Sequence, residues 1–162
     1  MALLELIRGR SVQISLRWAT VLVLALCARS AHADPCKLDV SSGLLFGTYD
    51  PLSPVARNSA GFIGYSCPPG RGGPEISISQ GIWGTFAARA MKNASGDAAL
   101  LRYKLCPDAT CQVLWGDGSA GTTVQIGPGG KNVILHVFGE IPALQNVASG
   151  LFSDSVTVTF NF

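Results

Sequence analysis

From Asp154 to Phe162 the chain alternates without a break: Val156, Val158, Phe160 and Phe162 take turns with Ser155, Thr157, Thr159 and Asn161. A side-chain period of two belongs to a β-strand, with the apolar set on one sheet face and the polar set on the other. The strand is expected to run to the last residue, so the chain would end inside its own sheet. An uncovered sheet edge presents unpaired N–H and C=O groups and invites another chain to pair with it.

The N-terminus reads as a targeting segment. Arg8, Arg10 and Arg17 form a basic stretch, Trp18 to Cys27 is apolar, and Ala31-His32-Ala33 fits the small-x-small cleavage rule. The apolar run is shorter than the roughly 20 residues needed to cross about 30 Å of hydrocarbon. Bulky Leu26 before Cys27 argues against lipidation. Residues 1–33 are therefore expected to be a signal peptide, and 34–162 a single exported domain without stable membrane insertion. The basic balance of the whole chain belongs to that leader. After cleavage eight Lys and Arg face nine Asp and Glu, a net charge of −1. No nucleic-acid footprint is expected, because that needs clustered cations.

Past the leader the chain reads as short strands divided by turns. Candidate strands are 41–49, 61–67, 75–79, 100–106, 113–115, 122–126 and 133–138, besides the terminal one. Asp50-Pro51, Pro68-Pro69-Gly70, Gly72-Gly73-Pro74 and Gly116-Asp117-Gly118 supply turns between them. Gly127-Pro128-Gly129-Gly130 reads as the loop of a hairpin joining 122–126 to 133–138. Nothing in 34–162 keeps an apolar period of 3.6 over a helix length. The pattern predicts an all-β protein, an antiparallel β-sandwich.

Cys36, Cys67, Cys106 and Cys111 lie beyond the leader. An even count in an exported chain points to two disulfides, with three pairings open. Cys36–Cys67 with Cys106–Cys111 is favoured, since the second pair is close in sequence and Pro107-Asp108 can turn the chain between them. Zinc would need four clustered Cys or His ligands; residues 34–162 offer one histidine and two distant cysteine pairs, so no metal is expected.

Residues that suggest chemistry lack partners for it. His136 has no serine in Gly-x-Ser-x-Gly to work with and reads as a half-exposed strand residue. Asp117 sits between two glycines in a turn, without the spaced acids of a calcium loop. Arg89 reads as a surface charge. Asn93-Ala94-Ser95 matches the glycosylation acceptor pattern. No catalytic residues and no cofactor are expected. Trp83, Trp115 and Tyr49, if exposed in loops, would suit the alternative of a self-contained secreted carbohydrate- or surface-binding module.

Several segments, in order, carry a resemblance: Leu45-Phe46-Gly47-Thr48-Tyr49-Asp50-Pro51, Gly64-Tyr65-Ser66-Cys67, Arg89-Ala90-Met91-Lys92-Asn93, Leu101-Arg102-Tyr103-Lys104-Leu105, Trp115-Gly116-Asp117-Gly118, Phe138-Gly139-Glu140-Ile141-Pro142 and Gly150 to Val158. Together they resemble the spore coat protein U domain family, which includes pilin subunits of archaic chaperone–usher pili. The resemblance implies an incomplete immunoglobulin-like antiparallel β-sandwich, missing one strand and holding an acceptor groove in its place. It implies that a periplasmic chaperone lends the strand, that an outer-membrane usher receives the subunit, and that a neighbouring pilin subunit then donates its own strand. The site residues it implies are Val156, Val158, Phe160 and Phe162, facing groove or core, with the Phe162 carboxylate docking on the chaperone. The Cys36–Cys67 disulfide is also similar to the family's. The Cys106–Cys111 pair departs from the pattern. So does the leading segment: after cleavage only Asp34 and Pro35 precede Cys36, about 7 Å of chain, too short to serve as a donated strand. The expectation is a structural or adhesive subunit of a surface fibre or of a spore or cell coat, carried through the periplasm to the outer surface.

Overall fold

The computed structural model describes residues 36–70, 72–96 and 98–161. Its strands are β1 (Lys37–Ser42), β2 (Arg57–Ser66), β3 (Glu75–Ile78), β4 (Trp83–Thr85), β5 (Ala88–Asn93), β6 (Leu100–Cys106), β7 (Gln125–Ile126), β8 (Val133–Ile141), β9 (Phe152–Ser153) and β10 (Val158–Asn161). The larger sheet runs β1-β2-β8-β6-β5-β4, and β9 pairs with β5 alongside β4. The smaller sheet runs β10-β3-β7. Every strand pair is antiparallel. The fold is all-β and sandwich-like, with an immunoglobulin-like character.

Alternation sets the core. In β6, Leu101, Tyr103 and Leu105 point inward and are buried, while Leu100 and Arg102 between them stay exposed. Ile63 and Tyr65 of β2 and Val137 and Ile141 of β8 share that inner face. Ile76 and Ile78 of β3 come down from the smaller sheet. Trp115 is fully buried between the layers, and its indole N–H donates to the Ile76 carbonyl at 3.0 Å. A buried indole needs that partner, because an orphaned N–H would oppose the gain from burying the ring.

Both disulfides form with the favoured pairing. Cys36–Cys67 ties the start of β1 to the end of β2, and Cys106–Cys111 staples the turn after β6.

Several sequence expectations shift. The first strand is Lys37–Ser42, not 41–49; beyond Ser42 the chain leaves the ladder, and the Ser59 hydroxyl and the Arg57 Nε donate to the carbonyls of Leu45 and Phe46. Residues 113–115 form no named strand; Trp115 makes one isolated bridge to Thr123. β4 was absent from the sequence reading, being three residues with a glycine in the middle. The hairpin across residues 127–130 does not exist: β7 pairs with β3 in one sheet and β8 with β2 and β6 in the other. Those glycines and Pro128 instead carry the chain from one layer to the next. Gly139 inside β8 has a steric reason. A Cβ there would fall 2.4 Å from the Leu44 side chain and 2.7 Å from the Phe46 ring, so its absence lets both pack directly on the sheet.

Candidate functional site

Two sheet edges face an opening. β1 is the outer strand of the larger sheet, and all six of its residues are exposed. β10 is an outer strand of the smaller sheet and pairs only with β3 among the described strands. Between these margins lies a cleft of about 360 Å³. Ser41, Ser42 and Leu44 form one wall, and Asp154, Val156 and Val158 the other. Ile63, Ile78, Leu105 and Val137 lie at its base. A second cavity of about 780 Å³ continues between residues 44–51 and 147–152, sharing Leu44, Phe46 and Met91 with the first.

The apolar base follows from the sequence. Leu105 and Val137 occupy inward positions of β6 and β8, Ile78 faces them from β3, and the three-stranded smaller sheet has fewer strands than the larger one. Above the rest of the large sheet, irregular segments help with the covering: Leu44, Phe46, Tyr49 and Val147 pack against the core without belonging to either sheet.

The terminal residues divide. Val158 and Phe160 alternate with exposed Thr159 and Asn161 and pack on the core, with the Phe160 ring edge-on to Tyr65 at 5.6 Å. Val156 lines the cleft and is 36 % exposed. The strand was expected from 154 onward, but its ladder begins at Val158. Residues 155–157 are held by two bonds to Ser79 instead: Ser79 N–H donates to the Thr157 carbonyl, and Thr157 N–H to the Ser79 hydroxyl, both at 2.9 Å. Phe162, its carboxylate and residues 1–33, the segment expected to be a signal peptide, lie outside the described residues.

A polar cluster anchors the start of this segment. Asp154 Oδ1 accepts from the backbone N–H groups of Ile82 and Ser155 at 2.9 and 2.8 Å, and Oδ2 accepts from the Tyr103 hydroxyl at 2.7 Å. Gly81 makes room for that carboxylate: a Cβ there would sit 2.1 Å from Oδ2. Burial, with the hydrogen bond to Asp154, pushes the Tyr103 phenol well above its usual range, so it remains a donor.

Arg89 is where sequence reasoning was wrong. It is fully buried, not a surface charge. Its Nη2 donates to the carbonyls of Ser79, Trp115 and Ile78 at 2.8, 2.8 and 3.3 Å, and Nε donates to Ser79 at 3.0 Å. Nη1 has no hydrogen-bond partner among the described residues. Desolvation lowers the guanidinium pKa, opposed by Tyr103, Asp154 and Asp117. The inward parity shared with Met91 was visible in the sequence, but charged residues usually face water, and the carbonyl partners come from distant segments.

Other candidates fall to structural roles. His136 is exposed on the outer face of β8, opposite Phe62. Asp117 and Asp108 close turns, accepting from Ser119 and Thr110, which lowers both carboxyl pKa values. Asn93 is buried, its carbonyl oxygen taken by Ser95 N–H and its amide donating to Ser149, so it presents no glycosylation acceptor at the surface. Trp115 is core, and the Tyr49 hydroxyl is engaged with Pro142 and Gln145. Trp83 remains partly exposed with the Lys92 ammonium 4.4 Å from its ring centroid. No group of three potential metal ligands occurs among the described residues, and no helix there is long and apolar enough to cross a membrane.

Comparison with known proteins agrees with this architecture. The family model for the Spore Coat Protein U domain matches residues 20–159. The chain belongs to that family. It is also 34 % identical over 144 residues to Protein U of Myxococcus xanthus, spanning 78 % of this chain and 77 % of that protein. Spore Coat Protein U domains are structural coat and pilus components, and membership supports a surface-associated structural role in general.

Proposed function

We propose that this Spore Coat Protein U domain is an exported structural subunit that is completed by a strand from another chain. The carrying observation is the cleft between β1 and residues 154–158, with apolar side chains at its base and a sheet margin on each side. A strand laid there would satisfy backbone groups on the margins and cover the exposed parts of Leu44 and Val156 above the buried base. In this reading a periplasmic chaperone supplies the strand first, an outer-membrane usher receives the complex, and a neighbouring subunit's N-terminal segment replaces the chaperone. Cleavage after Ala33 leaves too little chain to donate in turn, so the subunit sits at the end of a fibre, as a tip or minor component, or in a coat. The self-contained carbohydrate-binding alternative keeps Trp83 at the surface but loses Trp115 to the core, and the Tyr49 hydroxyl is engaged.

The test is to mix the purified protein with synthetic N-terminal peptides of pilins and follow thermal unfolding. A rise in melting temperature and a stable complex are expected. No gain with any such peptide, and no co-purification with a periplasmic chaperone, would sink the reading.

A further inference from the structure

The cleft is lined by apolar and hydroxyl-bearing side chains, with one charged exception. Among the described residues, Asp154 is the one charged side chain lining either cavity. It stands on the same wall as Val156 and Val158, at positions two apart along the chain. In extended chain these positions advance by roughly 7 Å each, so an incoming strand would meet an acidic position and then two apolar ones at the spacing of its own inward side chains.

The carboxylate is firmly placed. Two backbone N–H groups fix Oδ1, the Tyr103 hydroxyl fixes Oδ2, and Gly81 leaves the space it occupies. It cannot swing out to solvent without breaking all three bonds. Tyr103 belongs to β6, so the bond joins the wall of the cleft to the large sheet. Oδ1 already takes two donors, whereas Oδ2 takes one and keeps a free acceptor site.

We infer that Asp154 sets the chemistry of the strand the cleft accepts. This rests on the strand-accepting reading above. The favoured occupant is a segment of alternating apolar residues whose inward side chain beside Asp154 is a hydrogen-bond donor: Lys, Arg, Ser, Thr or Asn. An Asp or Glu at that one position is rejected by like-charge repulsion in a partly desolvated setting. A leucine there is tolerated but leaves the remaining acceptor capacity unused.

The experiment uses the full exported chain and one alternating Val/Thr peptide of twelve residues. Each inward position in turn is replaced by Lys, Ser, Leu or Glu, and uptake is read by thermal shift and by dissociation constant. One position is expected to favour Lys over Glu by about tenfold or more. In Asp154→Asn the Lys-to-Glu affinity ratio should collapse toward one, whatever the change in overall affinity. In Tyr103→Phe, which removes the donor on Oδ2 but keeps the charge, the preference should persist or grow. If Asp154 were only a structural anchor, Asp154→Asn would weaken all peptides alike and leave the Lys-to-Glu ratio unchanged, which overturns the inference while the strand-accepting reading stands. If the wild-type chain takes up no peptide, the reading beneath it fails too.

Discussion

Replacing Arg89 with alanine should cost this domain a large part of its stability. Three carbonyls, of Ile78, Ser79 and Trp115, would lose a charged donor that now sits 2.8 to 3.3 Å away. Hydrogen bonds to charged groups contribute roughly 1.5–3 kcal/mol each. Against this, the variant no longer desolvates a guanidinium, an effect of several kcal/mol. Among the described residues Nη1 has no partner, so some of that desolvation is uncompensated and the net loss falls toward the low end. A net destabilisation of about 3 kcal/mol is expected, comparable to breaking a buried polar pair. The assay is urea unfolding with both disulfides intact, followed by the fluorescence of buried Trp115. At 1–3 kcal/mol per molar urea, typical of small domains, the midpoint should fall by at least about 1 M. Arg89→Met keeps most of the volume but orphans the same carbonyls, so it should lose about half as much. The consequence reaches the cleft, because Ser79 also holds Thr157. A midpoint for Arg89→Met within about 0.3 M of wild type would refute the reasoning, since an apolar core would then serve as well as the buried cation.

Other expectations are simpler to check. Phe160→Asp sets a charge against the Tyr65 ring and should abolish chaperone binding and lead to periplasmic degradation; wild-type secretion of that variant would contradict the role given to the terminal strand. Replacing Cys36 and Cys67 by serine should lower stability by about 3–4 kcal/mol, and replacing Cys106 and Cys111 by about 2 kcal/mol, read by chemical denaturation, because the first bridge closes the longer loop. The phenols of Tyr65 and Tyr103 are raised above their ordinary value near 10, so their neutral forms favour the fold below that pH. Stability should fall as pH rises above about 10, where the unfolded chain ionises first. For Asp108 and Asp117 the pKa values are lowered, so their contribution is present above the ordinary carboxyl range and is lost as pH falls through the folded values. Carboxyl titration by NMR reports the latter directly, and Ser119→Ala should move Asp117 back up.

Elements with strong alternation were legible in the chain itself. β6 and β3 stand nearly where Leu100 to Cys106 and Glu75 to Ser79 predicted them, because one buried face imposes a period of two. Strand ends were less legible. β8 runs on through Gly139 because Leu44 and Phe46 fill the place of its missing side chain, a contact between distant residues. The 127–130 loop resembles a hairpin turn locally, yet the pairing choices of β7 and β8 send its two ends into different sheets. The candidate site was half visible. Val158 and Phe160 announced themselves by pattern, whereas Asp154 and Tyr103 carry no local signal of the bond that unites them across 51 residues of sequence.

Periodicity and cysteine count by themselves determined that this is a disulfide-bonded all-β domain, since both are properties read directly along the chain. Where the cleft lies, that Arg89 is interior, and that a single charged side chain stands among the described residues lining the cleft were decided only by tertiary structure. Each depends on which strands become neighbours, and non-local pairing brings together residues whose separation along the chain says nothing of their distance in space.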